Sequence, residues 1–240
     1  MLDKTEGIVL KQFKYNDKSR IVNIFTKDLG KRSFLVFGGN SKKSQNKIKI
    51  LQPFFNVGIV FYNKNNAGLL KIKEVSLKKS YLNITSSVKK MTIALFLSEV
   101  LQNSINQYLV DARLYDFITN AMEFFDLTDE KTENFHLFFL VKLTKFLGFY
   151  PLNNFSAENK FFNIKEGKFV PSYTYDFSLI NNESKIFSKI LQTDLADFNT
   201  LNISSVDRKS LLEKILRYYS FHIENFGEIK SLGVLKKVFE

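Results

Sequence analysis

The chain has 240 residues, 45% hydrophobic and 25% charged, which suffices to bury a core in one or two domains and excludes a disordered chain. It contains no cysteine, so disulfides, thiolate zinc sites and cysteine nucleophiles are excluded together. No apolar run reaches the roughly 18 residues of a spanning helix, and Met1 to Glu6 lacks a basic then apolar leader, so a soluble cytoplasmic protein is expected, with a net charge of +11 that favours a polyanionic partner.

The first 80 residues read as strands. Thr5 to Phe13 carries the apolar run Ile8-Val9-Leu10, and Arg20 to Thr26 is rich in β-branched residues. The turn signal Asp28-Leu29-Gly30-Lys31 precedes a third strand over Ser33 to Phe37. A polar stretch opens at Gly38-Gly39 and runs to Lys49. Leu51 to Tyr62 is a fourth strand region, with Pro53 marking an edge or bulge. After the turn Asn63-Lys64-Asn65-Asn66, Leu70 and Ile72 alternate with Lys71 and Lys73, as in a half-buried strand. Five strands in so short a span suit a closed barrel, because closure removes exposed edges. An OB-fold fits the pattern, and an SH3-like barrel fits it nearly as well.

Beyond residue 85 the period becomes helical. Thr85-Ser86-Ser87 supplies an N-cap for a stripe of Ile93, Leu97, Val100 and Leu101, and Arg113 to Leu127 carries a second stripe. Phe135 to Leu147 is apolar nearly all round, the mark of a central helix, and Gly148 ends it with Pro151 just beyond. Residues 151–182 are Asn-rich and aperiodic, with a short hairpin expected where Phe161-Phe162-Asn163-Ile164 and Lys168-Phe169-Val170 flank Glu166-Gly167. Helix resumes near Ser184. Ser204-x-x-Asp207 resembles a capping box before a long helix through Leu211, Ile215 and Tyr219, and a short helix near Ser231 to Phe239 closes the chain. The expected class is α+β: a five-stranded OB-fold barrel at 1–80, then an all-helical domain at 81–240 with a cysteine-free hairpin insertion at about 151–182.

Charge is unevenly placed. Residues 1–80 hold 17 Lys+Arg against 5 Asp+Glu, a net of +12, whereas the remaining 160 hold 18 against 19, a net of −1. Such asymmetry points to phosphates, whose condensed counterions are released on binding. The candidate nucleic-acid contacts are Lys11, Lys14, Lys18 and Arg20 around the first strand and its turn, Lys31 and Arg32 after Gly30, and Lys42, Lys43, Lys47 and Lys49 in the polar stretch. Phe13, Tyr15, Phe34 and Phe37 are interleaved with them. Most of these rings are expected in the core, with one or two exposed for bases to stack on.

A search for catalysis is negative. His136 and His222 lie on apolar helices and read as structural. No nucleophile elbow, phosphate-binding loop or dinucleotide fingerprint occurs. Asp126, Asp129, Glu130 and Glu133 sit between two helices, where acids favour the next N-terminal dipole. Asp194 and Asp197 could share a helix face but do not make a magnesium site. The expectation is a binding protein without cofactor or metal, not an enzyme.

Ordered segments along nearly the whole chain resemble the RecO family of bacterial recombination mediators: Thr5-Glu6-Gly7-Ile8-Val9-Leu10, Tyr15-x-Asp17-x-Ser19-x-Ile21-Val22, Phe25-Thr26, Gly30-Lys31, Ser41-Lys42-Lys43, Leu51-Gln52-Pro53-Phe54, Ala94 to Leu101, Leu147-Gly148-Phe149-x-Pro151 and Lys230-Ser231-Leu232-x-Val234-Leu235. The resemblance implies an N-terminal OB-fold and a helical C-terminal domain. It also implies binding of single- and double-stranded DNA, annealing of complementary strands, and help in loading RecA onto DNA coated by single-strand-binding protein. RecR and the acidic, hydrophobic tail of single-strand-binding protein would be partners, no membrane would be involved, and the protein would join the nucleoid during repair. The family's basic loop falls on Ser41, Lys42 and Lys43, and its turn-associated basic residues on Lys31 and Arg32.

The chain departs from the family in one respect. Many members carry a four-cysteine zinc site after the Leu-Gly-Phe-x-Pro segment, and residues 152–182 here have neither cysteine nor histidine. Phe161, Phe162, Ile164, Phe169 and Val170 are the expected apolar substitute. Glu133 and Asn134 stand before Phe135 where members often have an arginine, so Arg113, Lys142 or Lys145 would hold the partner tail. An RNA- or tRNA-binding OB protein, and a protein adaptor with incidental lysines, are the rival readings.

Overall fold

A computed structural model describes residues 1–38, 42–63 and 68–239; for 42–45 and 181 it describes the backbone alone. It divides into two compact units, Met1–Asp126 and Leu127–Glu240. Five strands, β1 (Leu2–Asn16), β2 (Ser19–Thr26), β3 (Gly30–Phe37), β4 (Asn56–Tyr62) and β5 (Leu69–Lys79), close into a barrel in the order β1-β2-β3-β5-β4. All neighbours are antiparallel except β3 and β5, which run parallel over Ser33↔Leu69 to Leu35↔Lys71. The parallel closure is what makes this an OB-fold.

β1 is longer than its apolar run because it serves two partners. Residues 2–8 pair with β4, and residues 7–16 pair with β2 across two register shifts. Gly7 sits where both pairings meet. A Cβ there would lie 2.4 Å from the Ile24 side chain and 3.0 Å from the Phe25 carbonyl, so the strand can coil this tightly only with glycine. Alternation sends Val9, Val22, Ile24, Phe34, Val36, Val57, Ile59, Phe61, Leu70 and Ile72 inward, and Leu51 joins them from the segment before β4.

The polar stretch before β4 contains a helix, α1 (Lys42–Lys49), where sequence pattern suggested only a loop. Three helices follow the barrel within the first unit: α2 (Leu82–Ser86), α3 (Val88–Ser104) and α4 (Ala112–Leu127). The Ser87 hydroxyl accepts from the Lys90 N–H to cap α3, and the Ser98 hydroxyl donates to the Leu10 carbonyl, fastening α3 to β1. Strand pattern gives way to helix at 79–86, but packing keeps these helices in the barrel's unit.

In the second unit α5 (Phe135–Leu147) is the central helix, and Gly148 terminates it with φ of 85°. Around it lie α6 (Asn181–Gln192), α7 (Ser205–His222) and α8 (Leu232–Val238). The Tyr219 hydroxyl donates to the Leu140 carbonyl at 2.7 Å, tying α7 to α5. The expected hairpin forms as β6 (Phe161–Asn163) and β7 (Lys168–Val170). Phe162, Ile164 and Phe169 are buried; Phe161 and Val170 are only half-buried. Phe162 packs against Phe169, Phe187 and Tyr218 with ring centroids 4.4–5.6 Å apart. The Asn154 amide reads β7 as a strand would, accepting from the Phe169 N–H at 2.8 Å and donating to the Phe169 carbonyl at 3.0 Å. Aromatic packing and this amide hold the hairpin together.

Candidate nucleic-acid interface

One row of cross-strand partners crosses the outer barrel surface: Phe13↔Ile21, Ile21↔Leu35, Leu35↔Lys71, Lys71↔Tyr62. Partners lie side by side on one face, and the next row inward, Gln12–Val22–Phe34–Leu70, points into the barrel. The outer row is apolar apart from Lys71. Phe13 is 43% exposed, Tyr15 60%, Phe37 48% and Tyr62 40%, whereas Phe34 is fully buried. Three of the four rings expected mostly in the core are therefore at the surface. The Lys71 ammonium lies 4.7 Å from the Phe37 ring centre and 5.8 Å from that of Tyr62, within cation–π range of both.

Lys11 is exposed on the adjacent outer row, Lys11–Asn23–Ser33–Leu69. Lys18 is exposed in the β1–β2 turn and Arg20 is half-exposed at the start of β2. The turn is held by the Asn16 side-chain carbonyl, which accepts from the Lys18 N–H at 3.0 Å and the Ser19 hydroxyl at 2.8 Å. Lys14 is exposed and ion-paired with Asp17 at 2.6 Å, a solvated contact of little energetic weight. Lys47 of α1 donates to the Lys73 carbonyl at 2.9 Å. The side chains of Lys42 and Lys43, and Ser41 altogether, lie outside the described residues.

Lys31 and Arg32 sit at the far end of β3 and differ in kind. The Lys31 ammonium donates to the Gln102 carbonyl at 2.6 Å, and burial lowers its pKa. The Arg32 guanidinium lies 4.6 Å over the Tyr108 ring. Gly30, with φ of +67°, lets the chain pass here, since a Cβ would meet the Leu109 carbonyl at 2.5 Å.

Sequence reasoning missed Lys71 and Tyr62. The signal was present in the alternation of Leu70 and Ile72 with Lys71 and Lys73, but only the register of β4 on β5 shows that Lys71 stands beside Tyr62.

Of the residues considered for a partner tail, Arg113 belongs to the first unit, is exposed and has Nε 3.8 Å from Asp111. Lys142 and Lys145 belong to the second. The Lys142 ammonium donates to the Leu191 carbonyl at 3.0 Å and lies over the Phe138 ring, and burial lowers its pKa; Lys145 is exposed. A separate small cleft in that unit, of about 20 Å³, is lined by His136, Arg208, Lys209, Leu212, Leu235, Lys236 and Phe239.

Burial, reinforced by Arg208, lowers the His136 pKa to about 3, while a backbone hydrogen bond at Glu133 opposes the shift. The His222 ring stacks on Phe149 with centroids 5.3 Å apart. The Asp126 carboxylate accepts from the Ile84 N–H at 2.8 Å. Asp194 and Asp197 lie beyond the end of α6 rather than on a helix face. Among the described residues no group of three His, Asp or Glu side chains could hold a metal ion, and no helix is long and apolar enough to cross a membrane.

Residues 1–81 match the family described as "Recombination protein O N terminal", and residues 86–232 match "Recombination protein O C terminal". The chain is 37% identical over 238 residues to a protein of Flavobacterium psychrophilum named DNA repair protein RecO, spanning 98% of each chain. Proteins of the same name in Flavobacterium johnsoniae and Bacteroides fragilis are 34% and 31% identical, over 98% and 100% of each chain.

Proposed function

The chain belongs to the RecO family of recombination proteins, and from that premise we propose that it acts in DNA repair as a non-catalytic mediator: it binds single- and double-stranded DNA through the barrel, anneals complementary strands and assists RecA loading on strands coated by single-strand-binding protein. The observation that carries this reading is the outer barrel face, where Lys11 and Lys71 share a surface with exposed rings, together with Lys18 in the β1–β2 turn and Arg20 at the start of β2. Lys42, Lys43 and Lys47 are proposed as further phosphate contacts on sequence grounds. Two complementary strands repel one another through their phosphates. Flexible ammonium groups lower that repulsion without reading sequence, which leaves base edges free to pair. Lys31 and Arg32, engaged with Gln102 and Tyr108, contribute field more than direct contact.

RecR and the tail of single-strand-binding protein are the proposed protein partners. An acidic peptide ending in apolar residues needs a cation beside an apolar surface; Lys145, exposed on α5, is the proposed contact, whereas Lys142 is occupied by the Leu191 carbonyl. A strand-annealing assay with and without single-strand-binding protein, at low and high salt, tests the reading. Annealing should be accelerated at low salt, persist on coated strands and fade as salt rises. Spontaneous rates under every condition would refute it.

A further inference from the structure

The barrel's outer surface is of two kinds. Below the aromatic row, β1 and β5 present Lys4, Glu6, Glu74, Ser76 and Lys78, all exposed, with Glu6 and Lys78 ion-paired at 3.1 Å. That is the ordinary polar face of an antiparallel sheet. Along the row Phe13 and Tyr62, and beside it Phe37, two residues beyond Leu35 on β3, are large rings half-open to solvent in place of such residues, although the barrel strands supply a full apolar core on their inner side.

We propose that Phe13, Phe37 and Tyr62 form a base-stacking subsite that selects single strands over duplex, with Lys71 between Phe37 and Tyr62 as the cation beside the stack. This inference rests on the reading of the barrel face as a nucleic-acid surface and names the polymer that this part of the face takes. Four strand-to-strand steps separate Phe13 from Tyr62, a curved path of about 19 Å at the usual strand spacing, long enough for more than one nucleotide. Any base offers a π face, so stacking is tolerant of sequence. A duplex hides those faces in its own stack and presents only phosphates, which lysines alone can hold. Lys71 already lies over both rings. An arriving base displaces it from a ring face, and its long stem lets the ammonium move to the adjacent phosphate.

The test compares binding of oligothymidine and of a duplex of the same length by the full chain carrying Phe37→Leu and Tyr62→Leu. Both positions are surface-exposed, so the fold should hold, and the ring-keeping pair Phe37→Tyr and Tyr62→Phe controls for any loss. The leucine variant should bind oligothymidine at least about fivefold more weakly, from the usual worth of one base on one ring. Its duplex affinity should stay within about twofold, and the ring-keeping variant should match the parent. A leucine variant that binds both polymers like the parent, or loses both equally, overturns the subsite. In the first case a charge-reversed Lys11→Glu, Lys18→Glu variant that still loses both polymers leaves the cationic surface standing, so the two readings fail separately.

Discussion

The Lys31 ammonium donates to the main-chain carbonyl of Gln102, seventy-one residues further along the chain, at 2.6 Å. A residue that sequence marks as a phosphate contact thus also holds β3 to the end of α3. Lys31→Met should remove the donor and leave the carbonyl unsatisfied, at a cost of about 1–3 kcal/mol. The melting temperature should fall by several degrees while DNA affinity of the folded protein changes little. A thermal melt paired with an anisotropy titration checks both halves.

The hairpin unit should be indifferent to chelators. Its staple is Phe162 among Phe169, Phe187 and Tyr218, with Asn154 clamped on Phe169. EDTA should leave the melting curve unmoved, whereas Phe162→Ala should cost about 3–5 kcal/mol through the cavity it opens. Chemical denaturation of both samples, with metal content measured alongside, decides the matter; stoichiometric zinc or a chelator-induced shift would contradict the account.

Acid should destabilise the fold through His136. Burial and the nearby Arg208 hold its folded pKa at about 3, against 6.5 for a free imidazole. Below 6.5 the unfolded chain takes up a proton that the folded chain refuses, so stability falls with pH down to about 3, by about 1.4 kcal/mol per unit. His136→Phe removes that proton. The difference between parent and variant stability should therefore be flat above pH 7 and change steadily below 6, as followed by denaturant titrations across pH.

Much of the architecture was legible because local signals agreed with the fold. Ser87, Gly148 and Ser204 cap the helices that their positions announced, and Gly167, at a φ of 69°, marks the β6–β7 turn. α1 escaped notice because Lys42–Lys49 has only one large apolar residue, Ile48, and so no stripe. The site was legible by residue type but not by pairing. Nothing local says that Tyr62 neighbours Lys71, or that Phe37 shares its cation, because both follow from the register of β4 and β3 on β5. The Lys31 contact with Gln102 was not legible for the same reason: the partner is remote in sequence.

The most direct measurement is the salt dependence of oligonucleotide affinity for the parent and for Lys11→Glu, Lys18→Glu, Arg20→Glu. Each neutralised phosphate adds about 0.7–0.9 to the slope of log affinity against log salt. The parent should show a slope of at least about 4, and the triple variant a slope shallower by about 2 with weaker binding throughout. A parent whose affinity ignores salt, or a variant indistinguishable from it, would contradict the claim that this barrel works by neutralising phosphates.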